Sequence, residues 1–273
     1  MFVDKIMLKV LTDAIIIAIP AIIVAVFETW PIQPFHSGFY CNDHSIMYPY
    51  KKNESVPGTE MEIYGTLAAA LLIVITEIIL LKCDASYGNN SKTLKLLTWK
   101  IPPYVQNLYK FNALLLLSET INRCISDGMK LTVGKLRPHF MDHCKPVLSD
   151  GTTCADPQNF NKYILDYTCS NEEATISSLR EIRMSFPSGH ANFSFVTALF
   201  CVFYLEYRVK HKGSKVWKLC VQLILITAAI YISLTRITDF KHSYSDVATG
   251  VITGCLLAYV ICYHVSDFSR KAE

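Results

Sequence analysis

Six runs of apolar residues decide what this chain can fold into. Residues 8–27, 63–81, 105–125, 191–207, 216–234 and 247–265 are each apolar for close to the length that crosses hydrocarbon as a helix, about twenty residues for roughly 30 Å. No water is available inside a bilayer, so each backbone amide there must be satisfied within the protein, which helices do on their own. A soluble fold would need six helices apolar on every side, with too little polar surface to cover them; 51% of the 273 residues are hydrophobic. The expected fold class is therefore an all-α integral membrane protein with six transmembrane helices, forming one membrane-embedded domain over residues 1–273. The first run follows Lys5 and Lys9 but continues unbroken to Phe27. A secretory signal has an apolar core of only about 7–15 residues, so this run is read as a retained helix.

Lysine and arginine in short loops set orientation. One side would carry Lys5, Lys9, Lys92, Lys95, Lys100, Arg208, Lys210, Lys212, Lys215, Lys218, Arg270 and Lys271, while the opposite short loops carry only Lys51, Lys52 and Lys241. Both termini are thus expected in the cytosol, and the long loop 128–189 outside or in a lumen. A net charge of +3 gives no reason to expect a nucleic-acid partner. Four of the ten cysteines, Cys41, Cys144, Cys154 and Cys169, fall on the outer side, where an oxidising compartment permits disulfides. Their connectivity is open at this stage, and the other six are expected to pack as small apolar groups. Asn53, Asn89 and Asn192 begin Asn-x-Ser sequons, but only Asn53 is both outside and clear of a helix, which makes it the candidate glycosylation site. The third outer loop is too long for a simple connection; with Tyr163, Tyr167 and three cysteines it is expected to be ordered.

Three polar clusters lie at the outer ends of these helices: Lys130-x6-Arg137-Pro138, Pro187-Ser188-Gly189-His190, and Arg236-x5-His242-x3-Asp246. Their parts suit phosphoryl transfer through a covalent histidine. Charge in that transition state spreads over the equatorial phosphate oxygens, so catalysis depends on cations and amide donors that hold them. Lys130, Arg137 and Arg236 supply cations, and an arginine fork matches two oxygens at once. Ser188 and Gly189 open a helix whose free amides form an anion site. His242 and Asp246, four apart at a helix start, are expected to share a face, so that the carboxylate holds one ring nitrogen and frees the other to attack. His190 is suited to protonate the leaving alkoxide and then activate water.

Each piece also has a plain reading. A lone basic residue at a helix end is usually an interface anchor, Ser-Gly before a helix is usually a cap, and a His–Asp pair is commonly a surface contact. The coincidence of all three clusters on one face outweighs these. His139-x3-His143-Cys144 has zinc-like spacing but lacks evident further ligands. Gly250-x3-Gly254 is expected to pack within the monomer, with a homo-oligomer left open. Asp13, Glu77 and Glu119 lie within spans; structural pairing is expected for each, Glu119 with Arg123 one turn away.

In this order, K-x6-R-P, P-S-G-H and R-x5-H-x3-D resemble the three-part signature of the type 2 phosphatidic acid phosphatase superfamily. Pro34 to Asp43, the loop cysteines and Val265-Ser-Asp-Phe268 are similar to the animal lipid phosphate phosphatases. The resemblance implies a six-helix enzyme with an outward-facing site that works without metal or cofactor. It assigns His242 as nucleophile, Asp246 as its partner, His190 as acid, and Lys130, Arg137, Ser188, Gly189 and Arg236 as the phosphate cradle. Substrates would be membrane lipid phosphate monoesters such as phosphatidic acid, its lyso form, or sphingoid and ceramide phosphates, at the plasma membrane or an internal membrane. The family usually has serine before the third-motif arginine, whereas this chain has Thr235. A sugar-phosphatase, a non-catalytic lipid-binding relative and a transporter are the rivals. Intact motifs disfavour the second, and the lack of paired broken helices disfavours the third.

Overall fold

The computed structural model describes residues 2–30, 32–83, 94–96, 99–209 and 216–265. Asn89, Lys92, Lys210, Lys212, Lys215, Ser266 to Phe268, Arg270 and Lys271, on which parts of the reading above rest, lie outside the described residues, as do the side chains of Lys5, Lys9 and Lys95. In chain order the helices are α1 (Phe2–Thr29), α2 (Gly58–Cys83), α3 (Pro103–Val133), α4 (Phe140–Cys144), α5 (Ile176–Glu181), α6 (Gly189–Arg208), α7 (Val216–Thr238) and α8 (Tyr244–Val260), the last continued by a π-turn over Ile261–Val265. Every apolar run falls inside one long helix. The helices outreach the runs at the motif end because polar motif residues form the extra turns: Lys130 in α3, Gly189 and His190 in α6, Arg236 in α7, Asp246 in α8.

Among the described residues, four stretches are long and apolar enough to cross a membrane: Val10–Thr29, Gly58–Cys83, Val216–Thr238 and Tyr244–Val265. Helices α3 and α6 are long enough but carry the polar inventory of the bundle. Asn192, Ser194, Thr197 and Tyr204 are buried on α6, and Glu119, Asn122, Ser126 and Asp127 on α3. Helix α6 is the inner element, packed by α2, α3, α7 and α8, so its polar groups meet protein rather than lipid.

Ser126 Oγ and both polar side-chain atoms of Asn192 are buried without a hydrogen-bond partner, whereas the ionisable groups of the helices are paired. Arg208 donates to both oxygens of Glu77 at 2.7 Å, and the Tyr204 hydroxyl adds a bond of 2.9 Å; Asp13 accepts from the Tyr109 hydroxyl at 3.1 Å. The expected Glu119–Arg123 pair does not form. Glu119 accepts from Thr66 on α2 and Thr197 on α6, each at 2.9 Å. Arg123 instead binds Glu28, Glu62 and Asp127, because α1 and α2 bring two carboxylates to it and Asp127 lies one turn on along α3. Below this polar layer, Ile73, Phe111, Leu115, Phe200 and Tyr204 form the apolar core.

Helices α6 and α8 touch through Gly250 and Gly254. A Cβ on Gly250 would lie 2.6 Å from the Ser188 carbonyl oxygen, and one on Gly254 would lie 2.6 Å from that of Asn192. The glycine pair therefore serves the monomer, as expected, and lets α8 press against the turn that opens α6. Beyond the motif end of the bundle, the α1–α2 and α3–α6 loops fold together. Phe39–Tyr40 pairs antiparallel with Tyr163–Ile164, and Pro146–Leu148 with Tyr167–Cys169. Phe39, Ile46, Phe140, Leu148, Ile164 and Tyr167 give this cap its own core. Disulfides Cys41–Cys154 and Cys144–Cys169 join the four cysteines expected on one side and supply the connectivity. Of the free cysteines, Cys201 and Cys262 are buried packers as expected, while Cys83 and Cys220 are exposed.

Candidate active site

The end of α3 turns sharply at Gly134, whose φ of 58° is left-handed. A Cβ there would lie 2.0 Å from the Phe35 carbonyl oxygen, so only glycine fits. The turn sends Lys135 toward Asp246 on α8 and Arg137 toward Glu181 on α5. Lys130, one turn earlier, reaches the start of α6: its Nζ is 3.3 Å from where a Gly189 Cβ would stand. The Ser188 amide donates 3.0 Å to the Asp246 carbonyl. First, second and third clusters are thus joined by direct contacts that the sequence did not reveal.

The His242–Asp246 geometry differs from the expected one. Ser243 is the N-cap of α8, so His242 precedes the helix and does not share a helical face with Asp246. Asp246, at the third helical position, turns back in a capping box and takes the Ser243 amide at 2.9 Å. Its other partners are the Ser185 hydroxyl at 2.7 Å and Lys135 Nζ at 2.7 Å. The acceptor on His242 Nδ1 is the Ser185 carbonyl oxygen, 2.7 Å away. A carbonyl only accepts, so Nδ1 carries the proton and the neutral ring keeps its lone pair on Nε2. Asp246 therefore bears on His242 through Ser185 rather than by direct contact.

His242 is only 4% exposed. Burial, with Arg137, His190 and Lys130 nearby, holds its pKa well below the usual histidine value. His190 stands in the first turn of α6, just outside the 191–207 run, and bonds through Nε2 to the Val56 carbonyl at 3.0 Å. Burial and the Arg236 charge lower its pKa to about 4.

The three expected cations each hold a carboxylate. Lys130 donates to Asp127 at 2.9 Å, Arg137 to Glu181 at 2.8 Å and Arg236 to Glu54 at 2.8 Å. Arg236, 1% exposed, also donates 2.9 Å to Asp239 and contacts the Thr235 hydroxyl at 3.2 and 3.3 Å. Threonine thus places a hydroxyl against the guanidinium. Two groups of the expected cradle, Arg137 Nε and Ser188 Oγ, are buried with no hydrogen-bond partner; buried polar atoms seldom remain so in the working state of a protein. A cavity of about 200 Å³ runs along Lys130, Arg137, Asp127, Arg180 and Glu181.

Sequence reasoning missed Lys135, Ser185, Glu54, Asp239 and Lys241. Lys241 entered only as a loop charge, and no local pattern ties Glu54 or Ser185 to residues more than 50 positions away. His139 and His143 do not share ligands with Cys144, which is bridged. His139 Nδ1 bonds the Phe240 carbonyl at 2.7 Å, and His143 Nε2 the Ser178 hydroxyl at 3.0 Å. Among the described residues no group of three or more His, Cys, Asp or Glu is arranged to hold a metal ion.

A family model described as the PAP2 superfamily matches residues 111–270. A Drosophila melanogaster protein provisionally named a phosphatidate phosphatase is 32% identical over 242 residues, spanning 88% of this chain and 64% of that relative. Mouse phospholipid phosphatase 1 is 33% identical over 240 residues, 88% of this chain and 78% of the relative, and mouse phospholipid phosphatase 2 is 31% identical over 87% and 79%. No solved structure matches the chain. The matched region begins in α3 and takes in all three clusters and the contacts between them, and on these grounds the chain belongs to the PAP2 superfamily of phosphatases, beside the phospholipid phosphatases.

Proposed function

We propose that this phosphatase hydrolyses lipid phosphate monoesters, of the phosphatidate, lysophosphatidate, sphingoid phosphate or ceramide phosphate class, through a phosphohistidine on His242. The observation that carries the reading is the set of unpartnered buried groups, Ser188 Oγ and Arg137 Nε, grouped with a histidine whose Nδ1 proton is fixed by Ser185. Lys130, Arg137, Arg236, Ser188 and Gly189 hold the phosphate oxygens. His242 Nε2 attacks phosphorus, the P–O bond to the lipid breaks, and His190 gives the leaving alkoxide its proton. His190 then takes a proton from water, whose oxygen attacks phosphorus; the P–N bond breaks and phosphate leaves. With a resting pKa of about 4, His190 needs the incoming dianion to favour its charged form. Side-chain cations fill the electrostatic role, and a metal-independent rate is the expectation.

Lipid is favoured over sugar phosphate by a cavity of about 260 Å³ between α1, α2, α3 and α6. It borders Gly189 and is lined by Ala21, Val24, Leu116 and Phe193 alongside Glu62, Glu119, Asn122 and Arg123, so its apolar residues give an acyl chain a partial course beside the site. The membrane reading is six spans built from α1, α2, α3, α6, α7 and α8 as one unit over residues 1–273. The termini lie in the cytosol, the clusters face outside or a lumen, and a glycan is expected on exposed Asn53. Two disulfides on the motif side support that orientation.

The test is release of phosphate from micellar phosphatidate and from glucose 6-phosphate by purified wild type and His242→Ala, with EDTA present. Lipid turnover that vanishes in a folded His242→Ala is expected. Turnover by that variant near the wild-type rate, or a preference for the sugar ester, would sink the reading. In parallel, a cysteine at Lys162 should react with an impermeant reagent from the non-cytosolic side, and one at Lys82 only after permeabilisation; the reverse pattern inverts the topology.

A further inference from the structure

The first outer loop enters the phosphate site in a way that neither the motifs nor the relatives' names account for. Glu54 Oε2 accepts 2.8 Å from Arg236 Nη1, and its Oε1 lies 3.3 Å from Lys241 Nζ. Two residues on, the Val56 carbonyl takes His190 Nε2. The segment is held down by Asp239, which accepts from the Ser55 amide and the Ser55 hydroxyl, each at 2.7 Å, and from Lys51. Hence one short stretch covers two groups that the reaction needs, the Arg236 fork and the His190 ring nitrogen. Lys241 stands directly before His242, 4% exposed and 4.6 Å over the Tyr50 ring.

The geometry points to Glu54 as an internal stand-in for the substrate phosphate, and to Lys241 as a fourth phosphate-binding cation that Glu54 occupies until a phosphate monoester displaces it. This rests on the phosphatase reading above and extends it. Charge balance supports the exchange. Arg236, Lys241 and Lys51 face Asp239 and Glu54, so the cluster with Glu54 in place carries one surplus positive charge. With Glu54 withdrawn the surplus is two, which matches a phosphate monoester of about −1.5 to −2 at neutral pH. A carboxylate presents two oxygens to a guanidinium as a phosphate does, so it satisfies a buried arginine in the resting state at the cost of competing with substrate. Apparent affinity falls by the fraction of molecules whose site is free. Anchoring through Asp239 leaves Glu54 free to swing out while Ser55 stays bound.

The test uses the full chain in detergent with orthovanadate as a tetrahedral oxyanion probe and short-chain phosphatidate as substrate. Glu54→Gln keeps the sequon and the Asp239 anchor. It is expected to lower both the vanadate Ki and the phosphatidate KM, by about five- to tenfold for an occupant present most of the time. Lys241→Met should raise both by about tenfold, and Lys241→Arg should recover most of that loss. Should Glu54→Gln lose its fold, Glu54→Asp serves instead: it keeps the charge on a shorter arm, and a smaller fall in Ki is expected. An unchanged or higher Ki in a folded Glu54 variant overturns the stand-in, and normal vanadate affinity in Lys241→Met overturns the fourth cation. Those failures leave wild-type turnover of phosphatidate intact, whereas no wild-type turnover would instead defeat the function proposed for the whole site.

Discussion

The two glycines on α8 give the sharpest way to test whether the site depends on how closely α8 and α6 approach. Gly250→Ala places a Cβ 2.6 Å from the Ser188 carbonyl oxygen and 3.0 Å from the Ala191 Cβ. Close carbon–oxygen contacts settle at about 3.3 Å, so α8 has to withdraw by roughly 0.7 Å. Both obstacles sit on α6 itself, and the first is backbone, so neither can rotate away. Overpacking of this kind costs about 1–3 kcal/mol. The same withdrawal strains the bond between the Ser188 amide and the Asp246 carbonyl and moves the start of α8, with Asp246, away from the Ser188–His190 turn. A misplacement of about 1 Å can cost a hundredfold in rate, so a loss of about tenfold or more in kcat is expected. Gly254→Ala is the control. Its Cβ meets the Asn192 carbonyl at the same 2.6 Å but one turn deeper, so a similar drop in thermal midpoint should come with a smaller loss of kcat. Melting of both variants in detergent, with turnover read well below their midpoints, separates the two effects. A Gly250→Ala protein with wild-type kcat, or one no more impaired than Gly254→Ala, would refute the reasoning.

Two further outcomes follow from the same geometry. Asp246→Asn should lower kcat by about a hundredfold, since it removes the charge that Lys135, Ser185 and Ser243 all serve. Ser185→Ala keeps the carbonyl on His242 but removes the hydroxyl that joins it to Asp246, so its loss should approach that of Asp246→Asn; a wild-type kcat in folded Ser185→Ala would mean that Asp246 does not act through Ser185. Stability should also fall with acid. His139, 1% exposed, has its pKa lowered by burial to about 4, and the pKa of His242 is also lowered by burial, so the unfolded chain binds more protons below about pH 6.5. Stability is therefore full above about pH 6.5 and is lost as pH falls toward 4, by about 3 kcal/mol for His139. Thermal midpoints of wild type and His139→Gln across that window check the sign, since the variant should show the shallower slope.

What the sequence conveyed, and what it withheld, follows from the range of each interaction. The apolar runs report a solvent, and each fell inside one helix. Their polar ends were harder to read because a charge ends a hydrophobic run without ending a helix, so Lys130, Arg236 and Asp246 extended elements that hydropathy had closed. Glu119 and Arg123 are one turn apart, yet a neighbour in sequence lost to Thr66, Thr197, Glu28 and Glu62 on three other helices.

The nucleophile shows the same competition at the closest range. Spacing of four between His242 and Asp246 suggests a shared face only if both lie on the helix, and Ser243 decides otherwise by capping it. Once Asp246 is spent on the cap and on Lys135, His242 needs another acceptor, and the Ser185 carbonyl is the group that the α6–α8 contact brings within reach. That contact exists because residues 250 and 254 lack side chains. The orientation of the proposed nucleophile is thus set by two glycines in the last helix, a dependence that spacing within the motif could not have shown.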